Sequence, residues 1–441
     1  MKTLTNFSTR LMQRYLPDPF LFVVILTLVV FLMGLVLTPS NPVDMVVYWG
    51  EGFWDLLEFA MQMVLVLVTG YVLASSRIFK RGLQQLATLA NTPGQAIIVV
   101  TLVALLASWI NWGFGLVIGA LFAKELAKRV RHVDYRLLIA SAYSGFIVWH
   151  GGLAGSIPLT IATNGHFSED IIGIVSTSET IFAPFNLFIV AALFISVPLL
   201  NWFMINPKTA VQVDPKLLED PADNMMKETK AKSKQTPAER MENSVVLSMI
   251  TGFLGLAFII YYLSTSGFNL NLNIVNFIFL FLGILFHMTP RNYLASVSGA
   301  VKNAGGIIIQ FPFYAGIMGM MVASGLAVQF SEWFVSISTE VTFPLFAFIS
   351  AGIVNFFVPS GGGQWAVQAP IMLSAGEALG VSPARTAMAV AWGDAWTNMI
   401  QPFWALPALA IAGLNARDIM GFCIWVLFLS GVVIGLGLMI L

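Results

Sequence analysis

The chain has 441 residues, of which 58% are hydrophobic and 10% charged, with 22 basic and 22 acidic side chains and no net charge. Soluble domains carry about 25% charged residues, so this composition, with a mean hydropathy of +0.83, excludes a soluble globular protein and marks a polytopic protein of the lipid bilayer. The lack of a basic patch excludes nucleic acid as an expected partner, and the single cysteine, Cys423, excludes an internal disulfide and a cysteine zinc site.

Lys2, Arg10 and Arg14 precede the first apolar stretch, 20–37, as the basic start of a signal peptide would. No small-residue cleavage site follows and more spans do, so the stretch reads as an uncleaved first helix. Further runs of spanning length follow at 53–74, 137–162, 181–205, 245–263, 272–286, 305–326, 386–412 and 419–441. That gives an all-α polytopic membrane protein with about nine full spans. Between 206 and 243 the composition changes abruptly, to seven Lys and Arg and seven Asp and Glu without an apolar run. This charged linker divides the chain into 1–205 and 244–441.

Lys and Arg accumulate on the cytoplasmic side of membrane proteins. Arg10 and Arg14, then Arg77, Lys80 and Arg81, then Lys124, Lys128, Arg129, Arg131 and Arg136 are all expected there, with the N-terminus; the C-terminus is expected in the periplasm. The segment 95–123 therefore starts and ends on one side, and the INWGFG break at Ile110 supplies the tip of a re-entrant hairpin. In the second half Glu332 and Glu340 fall outside, so 343–379, with VNFFVPSGGG beginning at Val354, becomes a hairpin entering from the opposite face. The offset that lays Asn111 on Asn355 also lays Pro158 on Pro402 and His150 on Asp394. Shared segment order in opposite orientation is the pattern of two inverted-topology repeats, in which substrate binds near the midplane at the repeat interface.

The last crossing of each half is broken too, near His150-Gly151-Gly152 and before Pro402, because proline lacks an N–H and clashes with the preceding turn. Irregular backbone at membrane depth is tolerated only where it is buried in protein or lines a polar cavity. The four breaks nominate Asn111, Gly113, Gly115, Ser156, Asn355, Ser360, Gly361, Gly362, Gly363, Gln364, Asn398 and Gln401 as substrate-binding residues, with Thr397 nearby. Half-helix N-termini carry partial positive charge and bind anions. No Lys or Arg occurs between Leu137 and Pro207 or between Asn303 and Ala384, so an anion here is held by dipoles, amides and hydroxyls. One small carboxylate suits that better than a polyanion. The aromatics around the breaks, Trp109, Trp112, Phe114, Trp149, Phe356, Phe357, Trp365, Trp392, Trp396, Phe403 and Trp404, are expected mostly to pack helices, with a minority facing an aliphatic tail.

Ionisable residues inside spans are costly and usually functional. His150 and Asp394 are the deepest, and each is a candidate for ion coupling: a proton for either, sodium for Asp394. The alternative is structural, with His150 bonded to a backbone carbonyl and Asp394 capping a half-helix. No cofactor and no metal site is expected. A membrane enzyme finds no support, since there is no HExxH, no aspartate-rich magnesium motif and no nucleophile with an evident base. A channel is disfavoured by the lack of a ring of like charges.

At these residues the chain resembles a known family. LPDPF from Leu16, WGEGFW from Trp49, FAMQM from Phe59, INWGFG from Ile110, IQFPFYAGI from Ile309, VPSGGG from Val358 and QPFWALPALAIAGL from Gln401 are similar to motifs of the short-chain fatty acid transporters, nearly end to end. The resemblance implies secondary transport of small monocarboxylates such as acetoacetate or butyrate across a bacterial inner membrane. It also implies an elevator-like cycle and, in the broader ion-transporter group, frequent homodimers. His150 stands where the family often has glycine, which argues against a universal proton role there. Since fold does not fix substrate, a carrier for another organic anion or an amino acid is the alternative.

Overall fold

The computed structural model describes residues 19–207, 210–213, 236–302, 304–355 and 358–440. Arg10, Arg14, most of the charged linker, Phe356 and Phe357 lie outside the described residues, as do the side chains of Pro402 and Phe403.

Every regular element among the described residues is helical. In chain order the first half forms α1 (Pro19–Leu37), α2 (Pro42–Gly52), α3 (Leu57–Ala74), α4 (Arg77–Leu86), α5 (Pro93–Ile110), α6 (Trp112–Arg129) and α7 (Tyr135–Ser144). A 3-10 helix (Gly145–Gly151), α8 (Ser156–Ile161), α9 (Glu169–Ile172) and α10 (Pro184–Phe203) complete it. The second half forms α11 (Pro237–Glu242), α12 (Val245–Ser266), α13 (Leu272–His287), α14 (Pro290–Val301), α15 (Gly305–Ala323) and α16 (Leu326–Ile337). Then come α17 (Phe343–Val354), α18 (Gly361–Ala378), α19 (Pro383–Thr397), α20 (Pro402–Ala412) and α21 (Ala416–Ile440). Helix starts follow from local chemistry. Asn41, Thr92, Asn111, Asp134, Ser244, Asn271, Thr289, Ser360 and Ser382 each accept a first-turn N–H through the side chain, satisfying donors that a helix start leaves open.

Among the described residues seven helical segments are long and apolar enough to cross a membrane: Leu57–Ala74, Pro93–Ile110, Tyr135–Ile161, Pro184–Phe203, Val245–Ser266, Gly305–Ala323 and Ala416–Ile440. Several expected boundaries shift. The run from Phe53 does not enter its helix until Leu57, because residues 53–56 form turns that join it to the separate α2. The run ending at Leu326 is cut at Gly325, whose φ of +81° breaks the helix and starts α16. The runs 137–162 and 386–412 are both interrupted, the second at Asn398–Gln401, where proline follows.

In space the halves interleave. Helices α1, α2 and α3 pack on α13, α14 and α15, whereas α7, α8, α10 and the 3-10 helix pack on α19 and α21. The pairs α5–α6 and α17–α18 are helical hairpins whose breaks meet opposite parts of α3. A Cβ on Gly113 would stand 3.1 Å from the Leu67 carbonyl, and one on Gly362 would stand 2.6 Å from the Phe59 ring. Eight residues of helix separate those contacts, about 12 Å at 1.5 Å per residue.

Candidate substrate site

Asn111 ends α5 and begins α6 in extended backbone (φ −158°, ψ 129°), and its Oδ1 accepts the Phe114 N–H at 2.9 Å. This cap is why the chain can turn inside an apolar run. It also leaves the Trp112 and Gly113 N–H groups as helix-start donors that no intrahelical carbonyl reaches. Asn111 is fully buried, and its Nδ2 has no hydrogen-bond partner. Gly115 lets the two arms touch: a Cβ there would stand 2.6 Å from the Ser108 backbone N.

Ser360 does the same for the second hairpin, accepting the Gly363 N–H at 3.4 Å. The glycines it starts lie against three groups of rings. Gly361 faces His150, Trp149 and Asp394, with a Cβ there 2.6 Å from His150 Cε1 and 2.9 Å from Asp394 Oδ2; Gly362 faces Phe59 and Phe311, and Gly363 faces Tyr314. Phe59, Phe311 and Tyr314 carried no site signal beyond the FAMQM and IQFPFYAGI motifs that contain them.

The amides of the second half mostly tie elements together. Asn355 Nδ2 donates to the Asp394 carbonyl (3.0 Å), Thr397 Oγ1 (2.9 Å) and Asn398 Oδ1 (3.0 Å), binding the α17 end to the α19–α20 break. Gln364 Nε2 donates to the Ala351 carbonyl at 2.8 Å and Gln368 Oε1 at 2.7 Å, cross-linking α17 to α18. Gln401 Nε2 reaches the Asn355 carbonyl at 3.4 Å. What they leave over is polar and buried: Asn355 Oδ1, Gln364 Oε1, Gln401 Oε1 and Asn398 Nδ2 have no partner. Buried polar groups are normally paired, and each exception calls for an explanation such as a ligand.

The 3-10 helix joins the two tips. With three residues per turn, side chains at every third position eclipse, and Tyr143, Phe146 and Trp149 stack with ring centroids 6.1 and 5.5 Å apart. The column ends on His150, 3.9 Å from Trp149, while Trp112 from the first hairpin stands edge-on to Trp149 at 6.0 Å and to Trp404 at 5.3 Å. The indole N–H groups of Trp112 and Trp149 are buried without partners. Trp396 instead donates to the Leu427 carbonyl at 2.7 Å, Trp392 donates to Asn186 Oδ1 at 3.0 Å, and both serve packing.

His150 and Asp394, nominated separately, meet. His150 Nδ1 stands 3.1 Å from Asp394 Oδ2, both side chains fully buried, at ion-pair distance but outside hydrogen-bond angles. His150 Nε2 accepts the Ile157 N–H at 3.1 Å, next to Ser156 at the start of α8. His150 Nε2 thus pairs with an N–H rather than a carbonyl, and Asp394 lies within α19, its Oδ2 beside Gly361 at the start of α18. Among the described residues no group of three or more His, Cys, Asp and Glu could hold a metal ion.

Two helix breaks closing on buried, unpaired amides inside an apolar helical bundle make up the site, and solved structures share the fold. The Alcanivorax borkumensis YdaH transporter shares it at TM-score 0.60 and 17% identity, covering 96% of this chain and 97% of that one. Neisseria gonorrhoeae MtrF, from a class of antimetabolite efflux pumps, does so at TM-score 0.50 and 15% identity, covering 98% and 97%. The sequence is more specific: the Short chain fatty acid transporter family model matches residues 1–441. An Escherichia coli (strain K12) protein named as a short-chain fatty acid transporter is 48% identical, over 99% of this chain and 98% of its own length. A Haemophilus influenzae protein named likewise is 44% identical over 98% of each. The chain belongs to the short-chain fatty acid transporter family and is a transporter, not an enzyme.

Proposed function

We propose that the protein is a secondary carrier of small monocarboxylates such as acetoacetate and butyrate, working by an elevator-like alternating-access cycle in a bacterial inner membrane. The observation that carries this reading is a set of buried donors without partners: Asn111 Nδ2 and Trp112 Nε1 at the first tip, Trp149 Nε1 in the 3-10 helix and Asn398 Nδ2 at the α19–α20 break. Together with the open N–H groups of α6 and α18, they form a neutral cradle for one carboxylate, beside rings that suit a short tail. The substrate-binding set is Asn111, Gly113, Gly115, Ser156, Asn355, Ser360, Gly361, Gly362, Gly363, Gln364, Asn398 and Gln401. His150 and Asp394 are the coupling pair, for a proton or sodium.

In this reading 1–205 and 244–441 are inverted repeats joined by a cytoplasmic linker, and hairpins 95–123 and 343–379 enter from the cytoplasmic and periplasmic faces. The contacts of the two tips with opposite parts of α3 support that arrangement. The N-terminus is then cytoplasmic and the C-terminus periplasmic.

The test is uptake of radiolabelled butyrate, acetoacetate and succinate into proteoliposomes, each with and without a sodium or proton gradient. Butyrate and acetoacetate should accumulate, and Asn111→Ala should cut their uptake about tenfold or more, since a hydrogen bond to a charged group contributes about 1.5–3 kcal/mol. Uptake of succinate with neither monocarboxylate would overturn the reading.

A further inference from the structure

Against the apolar side of the first tip, where Ile110 and Phe114 line it, a cavity of about 450 Å³ separates the first hairpin from α13. Leu106 of α5, Phe114 of α6, and Phe279 and Leu282 of α13 face it, and no polar side chain lines it. A methylene occupies about as much space as a water in liquid, about 30 Å³, so the cavity takes roughly a dozen or more methylenes. That is far beyond the tail of a four-carbon acid.

One wall of this cavity is α4, whose Phe79, Leu83 and Leu86 fall at helical spacing on one face. Its neighbouring face, with Leu83 shared, forms a small crevice with α6 lined by Lys80, Gln84, Lys124, Glu125 and Lys128. Lys128 contacts that Glu125 at 2.6 Å. Arg77 and Arg81 lie on the same short helix. An amphipathic helix with an apolar face toward an acyl-sized cavity and a basic flank is the arrangement that holds an anionic lipid. From the shared wall at Leu83, we propose that the cavity binds an acyl chain of an anionic phospholipid whose phosphate lies on the Lys80–Lys124–Lys128 crevice, wedging lipid between the first hairpin and α13. The charge complementarity selects this occupant over a neutral lipid, and the volume selects it over the substrate.

The test uses full-length protein purified in detergent and stripped of lipid, followed by native mass spectrometry and thermal unfolding. The probes are phosphatidylglycerol, phosphatidylcholine and glycerol 3-phosphate. Phosphatidylglycerol should remain bound and raise Tm by several degrees, with at least fivefold less retention of phosphatidylcholine and no shift with glycerol 3-phosphate. Ala107→Phe, which fills the cavity from α5, should abolish the adduct. Leu106→Trp, at a half-exposed position on the same wall, should do the same and covers the case in which Ala107→Phe fails to fold. The double variant Lys80→Gln, Lys124→Gln should bring the two lipids within about twofold of each other. Equal retention of both lipids by the unaltered protein would overturn the proposal, as would an equal shift from glycerol 3-phosphate or an adduct that survives both cavity-filling variants. None of these outcomes depends on the transported substrate.

Discussion

His150 Nε2 is committed to the Ile157 N–H, so a neutral imidazole carries its proton on Nδ1, the nitrogen 3.1 Å from Asp394 Oδ2. Gly361 presses on both side chains from the second hairpin, which places the pair where a tip movement would change its surroundings. Two residues that act as one unit lose their function once, not twice. His150→Gln and Asp394→Asn should each lower uptake at least tenfold, and the double variant should be no worse than the poorer single. Additive losses in a double-mutant cycle would show two independent roles. Asp394→Ala should in addition lower Tm, because breaking a buried pair costs about 3–5 kcal/mol. At this scale the sequence was legible where the residue type is itself improbable. A titratable group inside a span, Ser360 directly before three glycines, or Asn111 in a run with alternate glycines stands out against apolar surroundings. The contact between His150 and Asp394 was not legible, since only a shared repeat offset linked them. Phe59, Phe311 and Tyr314 are apolar residues in apolar runs and give no signal until the glycines they touch are seen.

The hairpin arms α5 and α6 owe their closeness to Gly115, where an added Cβ would meet both the Ser108 hydroxyl and the Ser108 backbone, standing 2.5 Å from its Cα. Backbone cannot swing aside as a side chain does, so Gly115→Ala must part the arms. Overpacking costs typically about 1–3 kcal/mol, and thermal unfolding in detergent should register it as a fall in Tm with reduced uptake. Gly82 in α4 is the control, having nothing within 4 Å of the Cβ position. Gly82→Ala should leave uptake intact and stabilise by up to about 1 kcal/mol. A Gly115→Ala protein with unchanged Tm would mean that the arms do not need this approach. Long apolar runs located most of the crossing helices in the sequence, and proline marked the break before Pro402. The break at residues 53–56 was hidden because Phe53, Trp54 and Leu56 continue the apolar run. In helix α4 the basic residues Arg77, Lys80 and Arg81 mark only the side of the membrane, whereas Phe79, Leu83 and Leu86 carry the helical period.

The two chain halves do not form two bodies in space, because α1, α2 and α3 pack with α13, α14 and α15 while α7, α8 and α10 pack with α19 and α21. Each packed group therefore takes helices from both halves. An elevator-like cycle moves one such group, with its hairpins, against the other; a rocking cycle would move half against half. Ser75 at the end of α3 and Ser296 in α14 distinguish them, since their hydroxyls are 2.6 Å apart across the halves yet within the α1–α3 and α13–α15 group. Side-chain oxygens at that distance put the Cβ atoms within reach of a disulfide, whose Cβ atoms stand about 3.5–4.5 Å apart. The one native thiol, Cys423, is buried and is removed first as Cys423→Ser. With Ser75→Cys and Ser296→Cys added, oxidation should form the cross-link, seen by mass spectrometry of peptides, and butyrate uptake should stay within about twofold of the reduced protein. Arrest on oxidation that reverses with a reductant would instead show that the halves move against each other at this contact, and would rule out the elevator reading.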